Sequence, residues 1–124
     1  MSMAKVLIVE DEDIIARMYQ EALKFDGFDV TVALGGLDGL TKVKSEKPDV
    51  VLLDIMMPEP DGIEVLEKIK ADPDIAGIPV VMLTNLSGKH DAELAKAKGA
   101  LDYWVKCDVK VKGLGKKVQA ILRP

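Results

Sequence analysis

A single cysteine, Cys107, leaves this chain of 124 residues unable to form an internal disulfide. That excludes the small disulfide-stapled folds and fits a reducing compartment. Long apolar runs are also missing: the longest are of strand length, well short of a membrane-spanning helix. The first residues lack the basic, apolar and small-residue order of an export signal. No linker, repeat or low-complexity tract divides the chain. These absences point to one cytoplasmic domain with one core and no membrane partner.

What is present is a globular composition, 48% hydrophobic and 31% charged, which excludes a disordered chain. The net charge of −4 is unevenly spread. Residues 1–62 hold 6 Lys/Arg against 13 Asp/Glu, or −7, whereas residues 63–124 hold 11 against 8, or +3. The basic half ends in Lys106, Lys110, Lys112, Lys116, Lys117 and Arg123. A nucleic-acid patch is one reading of that tail. A solvated helix face suits the acidic total better, so direct nucleic-acid binding is not expected.

Strand-type runs alternate with helix-type periodicity. The spacing predicts strands over 4–9, 29–33, 49–54, 78–84 and 101–105. It predicts helices over 13–26, 36–47, 62–71, 88–98 and 109–122, with Asp13 as a cap and Gly27 as a stop for the first. The first, third and fourth strands are nearly all apolar, which signals burial on both faces of a parallel sheet. The expected fold is a single doubly wound α/β domain of five βα units. Strand order is not readable from periodicity.

Polar residues gather at the strand ends. Glu10 and Asp11 end the first run, Asp54 the third and Thr84 the fourth; Lys106 follows the fifth. In an open α/β sheet those ends line the ligand crevice. Clustered carboxylates need a cation, a proton or separation. An oxygen-rich set with open positions suits Mg²⁺ bridging Asp11, Asp54 and a phosphoryl group. A carboxylate is also a competent nucleophile toward phosphorus, and Asp54 is the acid that Mg²⁺, Thr84 and Lys106 could jointly serve.

The segments Val-Leu-Ile-Val-Glu-Asp-Glu (6–12), Pro-Asp-Val-Val-Leu-Leu-Asp-Ile-Met-Met-Pro (48–58), Asp-Gly (61–62), Pro-Val-Val-Met-Leu-Thr (79–84) and Gly-Ala-Leu-Asp-Tyr-Trp-Val-Lys (99–106) stand in one order. Together they resemble the receiver domain of two-component response regulators, the CheY-like family, over nearly the whole chain. The resemblance implies the flavodoxin-like strand order 2-1-3-4-5. It implies a receiver over residues 1–124 with no output domain inside the chain. Asp54 would accept a phosphoryl group from a sensor histidine kinase or phosphotransfer protein. Mg²⁺ would be held by Asp11, Asp54 and the Met56 backbone carbonyl, with Glu10 acting directly or through water.

Thr84 and Lys106 would contact the phosphoryl oxygens, and Asn85 is a further candidate to do so. Thr84 and Tyr103 would be the switch, resetting the face formed by the fourth helix, fifth strand and fifth helix. That face would control a downstream protein or a fused output domain; homodimerisation through it on phosphorylation stays open. The resemblance implies a switch that catalyses its own phosphorylation and dephosphorylation rather than an enzyme acting on free substrates.

Two departures stand out. Cys107 follows Lys106 where the family usually has proline after a cis bond. The expectation leans to a cis Lys106–Cys107 bond, although cis before a non-proline costs about 3 kcal/mol. Met56 and Leu86 flank the site without hydrogen-bonding side chains, which predicts a long-lived aspartyl-phosphate. Three alternatives are weighed. A phosphohydrolase needs an acid two residues after the nucleophile, where Met56 stands. A flavin binder needs a donor-rich phosphate loop, where Glu10-Asp11-Glu12-Asp13 stands. A phosphate-independent binding module of receiver shape is the remaining alternative.

Overall fold

The computed structural model describes residues 3–123. The strands are β1 (Lys5–Val9), β2 (Asp29–Ala33), β3 (Val50–Leu53), β4 (Val80–Thr84) and β5 (Asp102–Val105). The helices are α1 (Asp13–Phe25), α2 (Gly36–Glu46), α3 (Gly62–Ala71), α4 (Lys89–Ala97) and α5 (Leu114–Leu122). All strand pairs are parallel, in the order β2-β1-β3-β4-β5. This is the expected five-stranded, doubly wound α/β fold. Chain direction across the sheet reverses between β1 and β3, so a crevice opens beyond their carboxyl ends.

The period-two alternation of the central strands builds two cores. Leu7, Val9, Val51, Leu53, Val80 and Met82 face α2, α3 and α4, where Val43, Leu66, Ile69 and Ala95 meet them. Val6, Ile8, Val50, Leu52, Val81 and Leu83 face α1 and α5, where Tyr19, Leu23, Leu114 and Val118 meet them. Each fully buried aliphatic side chain here contributes about 1.5–3 kcal/mol. Tyr103 joins the first core and Trp104 the second, so the alternation along β5 sends the two rings into opposite layers.

The helix ends follow local chemistry. Gly27, at φ +94°, turns the chain after α1 in the left-handed region open to glycine. Helix α3 starts in a capping box: the Asp61 carboxylate accepts from the Glu64 N–H at 3.0 Å, and the Glu64 carboxylate accepts from the Asp61 N–H at 3.2 Å. Asp13 does not cap α1. It is the first helical residue and pairs with Arg17 at 2.9 Å instead.

The fifth helix is shorter than its periodicity suggests. A 3-10 turn, Val111–Gly113, occupies part of its expected first half, and another, Lys106–Asp108, comes just before it. Gly113 weakens helix propensity there, and Val109 turns into the core. No helix among the described residues is long and apolar enough to cross a membrane.

Candidate functional site

Asp54 follows the most central strand. Its N–H donates to the Val9 carbonyl at 3.0 Å, which locks it beside the end of β1. Immediately beyond, the chain turns sharply into α3. The Gly62 N–H donates to the Ile55 carbonyl at 3.0 Å, and Gly62 lies so close that a Cβ there would meet the Asp54 carbonyl oxygen at 2.1 Å. The turn therefore fixes the direction of the Asp54 side chain.

The Asp54 carboxylate is 5% exposed and held at both oxygens. One accepts from the Met56 N–H at 3.1 Å and the other from the Lys106 ammonium at 2.9 Å. Glu10 is 2% exposed; it accepts from the Glu12 N–H at 3.2 Å and makes a short contact with Lys106. Asp11, at the exposed mouth, completes a group with Glu10 and Asp54 whose carboxylate oxygens lie within 4.8 Å of one another. Thr84 is fully buried, and its hydroxyl oxygen accepts from the Leu86 N–H at 3.4 Å. Asn85 is exposed.

Charge decides how Lys106 sits. Burial alone would lower its pKa, but its hydrogen bonds to Glu10 and Asp54 outweigh that and raise it. Burial pushes the Glu10 carboxyl up, opposed by Lys106 and the Glu12 N–H. The two shifts pull the pair in opposite senses: one favours an ion pair, the other a protonated acid. The geometry favours the ion pair, because one ammonium serves two carboxylates.

The Lys106–Cys107 bond is trans, contrary to the leaning toward cis. Among the described residues, Glu59–Pro60 alone is cis. A trans bond avoids the cost of a non-proline cis peptide. Lys106 shares the face of Trp104, two residues earlier, and its chain runs under Ile8, Leu52 and Leu83 to the acids. It fills that route almost completely, leaving a cavity of about 10 Å³.

The donor set fits the magnesium that the sequence implies. It is all oxygen, two of its acids are buried beside a cation, and the third is open to solvent. Among the described residues, the Met56 carbonyl accepts no backbone hydrogen bond. Glu10, Asp11, Asp54, Thr84 and Lys106 thus stand at one edge of the sheet, as the strand-end pattern predicts.

Sequence reading missed two contacts. The Tyr103 hydroxyl donates to the Leu86 carbonyl at 2.6 Å, and the Trp104 indole N–H donates to the Asp102 carboxylate at 3.0 Å. The second had a signal, an acid two residues away on the same strand face. The first had none, because it joins a strand to a loop 17 residues away.

Comparison with known proteins agrees with this geometry. Residues 6–118 match the family model described as response regulator receiver domain. The DNA-binding response regulator MtrA of Mycobacterium tuberculosis is 40% identical over 119 residues, which cover 96% of this chain and 50% of MtrA. The alkaline phosphatase synthesis transcriptional regulatory protein PhoP of Bacillus subtilis is 37% identical, over 96% of this chain and 48% of PhoP. The chain therefore spans about half the length of these curated relatives. The chemotaxis protein CheY4 of Vibrio cholerae superposes with a TM-score of 0.90 at 30% identity, covering 98% of this chain and 100% of that one. The BeF3-activated receiver domain of Klebsiella pneumoniae RstA gives 0.88 at 30% identity, covering 97% and 99%.

These relatives correct one expectation. The acidic total argues against direct nucleic-acid binding, yet the relative MtrA is a DNA-binding response regulator. The charge of one domain does not report what a protein of twice its length binds. With its strand order and strand-end acids matching this family, the chain belongs to the response regulator receiver domains.

Proposed function

We propose that this receiver takes a phosphoryl group on Asp54 from a phosphohistidine of a sensor kinase or phosphotransfer protein. The observation that carries the reading is the Asp54 carboxylate itself. It is buried, aimed by a backbone N–H, and faced by an ammonium and two further acids. An Asp54 oxygen would attack phosphorus as the P–N bond breaks; the imidazole leaves with the electron pair and takes a proton. Lys106 balances the charge that develops on the phosphoryl oxygens, and the Thr84 hydroxyl donates to one of them. Asp11, Asp54 and the Met56 carbonyl would hold Mg²⁺, with Glu10 close behind. When bound, the ion neutralises charge between carboxylate and phosphoryl oxygens.

The output rests on Leu86. Its N–H is held by Thr84 and its carbonyl by Tyr103. Turning Thr84 toward a phosphoryl group releases the first grip and loosens the loop ahead of α4. Helix α4 suits a moving part, because Ala95 is its one buried residue. By analogy with MtrA and PhoP, the controlled partner is a DNA-binding output segment. The same reading puts the protein in the cytoplasm, with Cys107 reduced.

Incubation with a small phosphodonor tests the proposal. One added phosphoryl group, dependent on Mg²⁺ and lost in Asp54→Asn, is expected. Labelling that persists in Asp54→Asn or without divalent metal defeats it.

A further inference from the structure

Away from the site, the start of α5 carries a charge pattern that its own fold does not explain. Lys110, Lys112, Lys116 and Lys117 are all exposed. Among the described residues none of them forms an ion pair, whereas the lysines of α2 and α4 all do. Lys116 and Lys117 lie in the first turn of α5, which holds no acid. Cations there oppose the helix dipole. A nearby carboxylate is Asp26, which lies against Gly115: a Cβ on Gly115 would meet it at 2.2 Å. With Asp108, also exposed two residues before Lys110, two acids stand against four lysines, and the patch stays basic.

An apolar feature adjoins this patch. Phe25 is 92% exposed at the end of α1. With Ala22, Asp26 and Lys112 it lines an open groove of about 510 Å³. A lone exposed apolar residue is ordinary. An exposed ring beside a groove and a cluster of unpaired cations is the composition of a docking anchor with a charged rim.

We propose that this face, built by the second half of α1 and the start of α5, docks an acidic amphipathic segment of a partner protein. The partner's carboxylates meet Lys112, Lys116 and Lys117, and an apolar side chain enters the groove beside Phe25. A nucleic acid would use only the lysines and would leave the groove empty. Helix α1 starts at the Asp54 edge of the sheet and ends at the opposite edge. The surface therefore acts whether or not Asp54 is phosphorylated.

Trp104 gives a direct readout. It is the sole tryptophan, and the Lys117 ammonium stands 4.9 Å from its ring centroid. The probe is a synthetic helical peptide with glutamates on one face and leucines on the other, titrated into the whole chain while Trp104 emission is followed. Saturable binding is expected, weakened about tenfold by Lys112→Glu with Lys116→Glu and about tenfold by Phe25→Ser, and unchanged by Asp54→Asn. The substituted lysines and Phe25 are exposed, so far-UV circular dichroism should show the fold intact in those variants. The proposal is overturned by absent binding, by binding indifferent to Phe25→Ser, or by equal binding of a leucine-free glutamate peptide or a DNA duplex.

Discussion

Tyr103 donates its hydroxyl hydrogen to the carbonyl of Leu86 at 2.6 Å, tying β5 to the loop that leads into α4. The ring packs on the core shared by α2, α3 and α4, so this bond lies at the border of core and surface. Tyr103→Phe keeps the ring and removes the bond. The expected cost is about 0.5–1.5 kcal/mol, with faster hydrogen exchange over residues 85–88 than elsewhere. Exchange unchanged in that loop would show that the bond does not restrain it.

Gly62 sets the direction of Asp54 by its lack of a side chain. A Cβ there would meet the Asp54 oxygen at 2.1 Å and the Ile55 Cα at 2.6 Å, both backbone atoms that cannot swing aside. Gly62→Ala is expected to cost about 2 kcal/mol or more in urea unfolding. It should also reduce phosphodonor labelling in the protein that remains folded. A variant as stable as the parent would contradict the tight turn.

Lys106→Met leaves Glu10 and Asp54 facing each other without their shared cation. In metal-free buffer the expected loss is about 3 kcal/mol. Because the folded pKa of Lys106 is raised above 10.5, its contribution is fully present below that value. It is lost as pH climbs through the raised value. The stability difference between parent and variant should stay level from neutral pH to the ordinary lysine range, then shrink. A difference that vanishes near neutrality would argue against the ion pair.

The order of strands and helices was legible because apolar residues recur with period two in the strands and near 3.6 in the helices. Glu10, Asp11, Asp54, Thr84 and Lys106 were legible as strand-end residues, a position that any parallel sheet brings to one edge. The helical pattern over 109–122 misled at its start, because Val111 and Leu114 keep a helical apolar spacing while the 3-10 turn Val111–Gly113 delays the helix to Leu114. The Lys106–Cys107 bond misled because a family habit was carried onto a position without the proline that causes it. The Lys106 contact with Glu10 was not legible, since nothing in the sequence says how far a lysine chain reaches under its neighbours.

The aspartyl-phosphate should be long-lived. Met56 is exposed beside Asp54, and Leu86 is half-buried against the core; neither side chain can orient a water. Met56→Asn supplies a hydrogen-bonding group and should shorten the half-life by about tenfold. Phosphoryl loss within seconds from the parent protein in Mg²⁺ would refute this.

Borohydride reduction of the phosphodonor-treated protein, followed by peptide mass mapping, addresses the central assignment most directly. An acyl phosphate on aspartate is reduced to homoserine, which marks the residue that carried it. The expected result is homoserine at position 54, formed only when Mg²⁺ is present. Modification at Asp11 or Cys107, or at position 54 without any divalent metal, would contradict the account.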